Sequence, residues 1–139
     1  MGLLKHVVLP FNSLLNAGLA YKLLIAEYYA DTQADFGNSP ETMTLMEHHL
    51  WHVLGGIALC NSINSLAAIC VENSHYRMMV CALQTLFFCV DGWSYVKLGV
   101  DVPATLYVIL GVNVAGLVVH SFEPGLFTKD KNDDGKKKK

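Results

Sequence analysis

Apolar residues run along this chain in long stretches rather than in short alternations with polar ones. Four stretches approach the roughly 20 mostly apolar residues that a helix needs to cross a bilayer. Val102–Val119 carries no charge at all. Met78–Val96 is apolar apart from Gln84 and Asp91, and Val7–Tyr29 is charged only at Lys22 and Glu27. A fourth stretch follows a polar segment and runs from about Leu50 to Val71. The stretches exceed strand length and lack turn signals at strand spacing, so helices are expected throughout.

Local signals place the helix starts. Pro10 falls in the first turn of the first helix, where a missing N–H costs little. Ser39-Pro40-Glu41 is a cap, a proline and an acid in sequence, and is expected to open the second helix. Asp101 is expected to cap the fourth helix, with Pro103 in its first turn. The reading is an all-α protein: a four-transmembrane-helix bundle with a disordered basic C-terminal tail. The spans are about 7–29, 45–71, 76–97 and 102–120, within one domain over 1–128, followed by the tail 129–139. Asn12, Ser13 and Asn16 interrupt the first stretch, which argues against a cleaved leader ending near Ala17-Gly18-Leu19-Ala20.

Composition sharpens this picture. Of the 139 residues, 53% are hydrophobic and 16% charged, against about 25% charged in an average soluble domain. That balance excludes a disordered chain. The net charge of −2 and the lack of a basic stripe outside the tail argue against nucleic acid as a partner. The tail holds six lysines and three aspartates and is expected to be solvated and disordered. With an even number of spans both termini share a side. Lys5, Arg77 and the tail lysines make that side cytosolic by the positive-inside rule. The chain ends in four lysines, and Lys136 and Lys137 look like a dilysine retrieval signal of the endoplasmic reticulum, read by coat proteins. Cys60, Cys70, Cys81 and Cys89 form no Cys-x-x-Cys pair and read as buried free thiols.

Ionisable groups at membrane depth are costly, which makes them the first places to look for function. Counting back from the ends of their spans at 1.5 Å per residue puts Lys22 and Asp91 each roughly 10 Å below the same, lumenal, edge. An intramembrane ion pair between Lys22 and Asp91 is the expectation, since pairing offsets the loss of hydration. His52 enters at that face too, and His52 and Asp91 are candidate acid/base residues. Around them lies a polar cluster of Glu27, Glu47, His48, His49 and His52. His48 and His52, four residues apart, share a helix face and are candidate metal ligands. The order Glu47-His48-His49-Leu50-Trp51-His52 is not the His-Glu-x-x-His of metalloproteases, and neither a metal nor another cofactor is assigned. Asn16, Asn61, Ser62, Asn64, Ser65 and Asn113 are expected to hydrogen-bond between helices, and Gly55-Gly56 and Gly111-x-x-x-Ala115 to allow close helix contact.

In size and four-span outline the chain resembles the microsomal glutathione-transferase superfamily. Its second span has no arginine, however, and departs from that family's acid-Arg motif. The outline also resembles the small scaffold protein of ergosterol biosynthesis, again in layout alone. The functional expectation is a non-enzymatic multi-pass protein of the endoplasmic reticulum: a scaffold, assembly factor or subunit of a membrane complex. The bilayer, another membrane protein or a second copy, and coat proteins are its expected partners. The alternative is a lipid- or sterol-binding protein, or an enzyme, using the lumenal-side cluster for acid/base chemistry.

Overall fold

The computed structural model describes residues 2–25 and 44–122, and these form four helices. Helix α1 spans Leu4–Leu24, α2 Leu45–Cys70, α3 Ser74–Leu98 and α4 Ala104–Ser121. Each is long and apolar enough to cross a membrane. At 1.5 Å per residue α4, the shortest, is about 27 Å long and α2, the longest, about 39 Å. Glu27 and the tail from Lys129 onward lie outside the described residues.

Helix ends follow from residues next to them. Leu4–Val8 is a π turn, closed by the Leu9 N–H on the Leu4 carbonyl. Pro10 follows at the start of the regular part of α1. It brings no N–H to the His6 carbonyl and its ring would crowd that group, and the wider π turn gives the room. The expected Ser39-Pro40-Glu41 opening of α2 lies outside the described residues, and the helix begins instead at Leu45. Extended Thr44 is its N-cap, in a capping box with Glu47. Between α2 and α3 the chain turns over Val71–Asn73. Asn73 Oδ1 accepts from the Tyr76 N–H at 3.0 Å and caps α3. Arg77 reaches back to close α2, donating from Nε to the Ala68 carbonyl at 2.9 Å and from Nη2 to the Val71 carbonyl at 2.7 Å. Gly99 ends α3 in the left-handed region at φ 70°, which glycine adopts without strain. Pro103 itself stands at the N-cap of α4, so the expected cap by Asp101 is not formed.

The helices pack as two antiparallel hairpins. In the first, Gly55 of α2 lies against Leu23 and Leu24 of α1, so closely that a Cβ there would meet Leu24 Cγ at 2.8 Å. In the second, Gly92 of α3 faces Leu106 of α4. The hairpins join at the N-terminal end of α1, where Leu4 and Val8 fill the space over Gly116. Leu4, Val8, Leu9, Ala68, Val80 and Cys81 form the apolar core there. Beyond this level α1 packs chiefly on α2.

The distribution of polarity is inverted relative to a water-soluble bundle. Asn12, Asn16, Ser65, Gln84 and Asn113 are buried, while Leu14, Ile63, Leu86, Val90, Tyr107, Val108 and Val118 face outward. Water would penalise that outer surface, whereas hydrocarbon is indifferent to it and penalises unpaired polar groups instead. Two sequence expectations change here. Cys60, Cys70 and Cys89 are exposed on the outer face and only Cys81 is buried, because these positions fall on different sides of α2 and α3. Gly111 and Ala115 face outward and Gly56 meets nothing within 4 Å, so the close contacts belong to Gly55 and Gly116.

Candidate functional site

The densest polar constellation lies at mid-height, where all four helices meet. Asn12 of α1 is its hub. Its Nδ2 donates to Gln84 Oε1 of α3 and to Asn113 Oδ1 of α4, both at 2.7 Å. Asn113 returns one bond, from Nδ2 to Asn12 Oδ1 at 3.2 Å, and gives its other hydrogen to the Ile109 carbonyl. Gln84 Nε2 donates to Ser65 Oγ at 2.6 Å and to the Asn61 carbonyl at 3.0 Å, both on α2. The Cys81 thiol lies 3.4 Å from Asn113 Oδ1. Beside the hub Ser62 Oγ donates to the Ser13 carbonyl at 2.9 Å, and Ser13 Oγ lies 3.2 Å from Ser62 Oγ. Both amide hydrogens of Asn12, Gln84 and Asn113 are thus used. Asn16, one turn on, donates to the Asn12 carbonyl at 2.8 Å, and its buried Oδ1 has no hydrogen bond.

A network so completed holds helices and does little chemistry. It contains no ionisable group besides the buried thiol, and each amide proton already has an acceptor. Asn12, Ser13 and Gln84 were the residues that sequence reasoning underweighted. Asn12 and Ser13 on α1 and Gln84 on α3 are polar side chains inside apolar spans, and such groups seek partners on neighbouring helices. Asn61 takes part through its backbone carbonyl, and exposed Asn64 lines a small groove beside Gln84.

The histidine-rich start of α2 is arranged differently. Glu47 Oε2 accepts from the Thr44 N–H at 2.6 Å and from Thr44 Oγ1 at 2.8 Å. His52 Nδ1 lies 2.8 Å from the His48 carbonyl one turn earlier. His48, His49 and His52, with Leu45 and Met46, line an open concavity at this end. Among the described residues no group of three or more His, Cys, Asp and Glu side chains is placed to hold a metal. His120, on the opposite end of the bundle, lies with Nε2 2.8 Å from Ser74 Oγ, tying α4 to the start of α3.

Lys22 lies on an outward face of α1, and Asp91 two turns beyond Gln84 on α3. Among the described residues no salt bridge joins them, and Asp91 makes no hydrogen bond. Asp91 instead lines a cleft of about 180 Å³ between α1 and the α3–α4 hairpin. Leu15, Leu19, Phe88, Leu106 and Ile109 form its apolar walls, and Thr105 adds a hydroxyl. His52, the other acid/base candidate, does not line this cleft. No protein-family model, curated protein or solved structure matches the chain.

Proposed function

We propose that this chain is a small multi-pass membrane protein of the endoplasmic reticulum that works without catalysis, as a scaffold, assembly factor or subunit of a membrane complex. The observation that carries the reading is the use of the interior polar groups. Asn12, Ser65, Gln84 and Asn113 are spent on one another across four helices, which supports a rigid bundle and leaves no reactive centre at its middle. Two of the residues read from sequence as chemical have structural partners: Glu47 caps a helix, and His52 bonds within its own helix. What the bundle offers outward is a broad apolar surface with the small residues Gly111 and Ala115 on it, suited to lipid and to a neighbouring helix. The address comes from Lys136 and Lys137, with both termini on the cytosolic side.

Purification of the tagged protein in mild detergent, followed by mass spectrometry of its companions, tests the role. A stoichiometric membrane-protein partner or a stable homo-oligomer is the expected result, and a lone monomer overturns the reading. Lys136→Ser with Lys137→Ser tests the address. The variant is expected to leave the endoplasmic reticulum, and unchanged location removes the retrieval signal from the proposal.

A further inference from the structure

Among the described residues Asp91 is the one acidic side chain placed well inside a span; it is exposed and stands roughly 10 Å from both the Gln84 level and the end of α3. A carboxylate at such a depth is stabilised only by a partner. The amide network supplies none, because its donors are already committed to Asn12, Asn61, Ser65, Gln84 and Asn113. No described cation makes a salt bridge to it. What faces Asp91 is the cleft left where α1 separates from the α3–α4 hairpin, apolar along Leu15, Leu19, Phe88, Leu106 and Ile109. Its volume of about 180 Å³ compares with the roughly 150 Å³ of an apolar cavity that accepts benzene. That room holds a stretch of one hydrocarbon chain, not two side by side. A space with apolar walls, one anionic group and an opening toward the bilayer is complementary to a cationic head on a single tail.

We propose that this cleft binds a single-chain amphiphile with a protonated amine head, its ammonium on the Asp91 carboxylate and its chain along α1 and α4. The scaffold reading does not depend on this site. A cleft that takes no amine leaves the protein-partner experiment unaffected, so the two fail separately.

The test uses the full chain in nanodiscs of neutral phosphatidylcholine. The probe is a long-chain alkylamine carrying a diazirine on its tail, and a neutral alcohol of the same length runs beside it. After irradiation, labelled peptides are mapped by mass spectrometry. The amine is expected to label residues 15–19, 88–95 and 105–109 several-fold more than the alcohol does. Asp91→Asn is expected to lower amine labelling to the alcohol level, and Ile109→Trp, which fills the cleft, to lower both. Equal labelling by amine and alcohol in the unaltered protein overturns the proposal. So does label spread evenly over outward residues such as Leu14, Leu86 and Val118, or labelling that survives Asp91→Asn. The comparison of the two probes on the unaltered protein decides the matter even where a variant fails to fold.

Discussion

Two levels of the same bundle treat polar residues in opposite ways. At mid-height Gln84 is enclosed, with its amide hydrogens on α2 and its oxygen on Asn12 of α1. Two turns further along α3, Asp91 borders a cleft and has no described partner. The difference lies in the neighbours. Where Gly116 lets Leu4 and Val8 close in, the hairpins meet and short amides can reach across. Where α1 leaves the α3–α4 hairpin for α2, a cleft opens between Leu15 and Leu19 on one side and Phe88 and Leu106 on the other. In this bundle the interlocked amides lie where the helices meet, and Asp91 lies where they separate. Where helices meet, the same chemistry is mortar.

Substitutions at the two levels should separate sharply. Asn113→Leu leaves Asn12 with an unmatched acceptor and an unmatched hydrogen, and is expected to cost on the order of 3 kcal/mol. Unfolding of the detergent-solubilised protein in rising dodecyl sulfate measures it. Adding Asn12→Leu and Gln84→Leu should recover part of that loss, because no amide of the hub then stays unpaired. Strictly additive losses would count against a coupled network. Gly116→Ala places a Cβ 2.6 Å from Val8 Cγ2 and is expected to cost about 2 kcal/mol by overpacking. Gly111→Ala, which meets open space, should be neutral or slightly favourable. Equal effects at the two glycines would mean that the hairpins do not close there. Arg77→Ala frees the carbonyls that end α2 and should cost about 1 kcal/mol, read in the same titration and as faster amide exchange in the last turn of α2. Asp91→Asn should change stability by no more than about 0.5 kcal/mol, since it breaks no described bond. A loss as large as that of Asn113→Leu would make Asp91 part of the framework and close the contrast between the levels.

Much of the fold was legible in sequence because the membrane imposes it. Runs of apolar residues near 20 long, separated by Asn73 or by Gly99 and Pro103, leave few alternatives to four helices. The interior was legible only in part. Asn113 could be assigned to helix contacts by type, but its choice of Asn12 depends on how α1 and α4 are set against each other, which no local pattern encodes. The same limit explains Lys22 and Asp91. Equal depth along two helices says nothing about rotation around their axes: Lys22 and Asp91 are both exposed, and Asp91 borders a cleft that Lys22 does not line. Glu47 illustrates a competing local rule: Thr44-x-x-Glu47 is a capping box, and a carboxylate bound to its own helix start is withdrawn from a metal or substrate.

The reach of Asn12 has a consequence for biosynthesis. Its two amide hydrogens are satisfied by α3 and α4, which leave the ribosome after α1 and α2. The first hairpin can form as soon as α2 is made, through Ser13, Ser62 and Gly55, yet it then carries an unanswered amide into the bilayer. A chain made helix by helix thus holds Asn12 without its side-chain partners until α3 and α4 are in place.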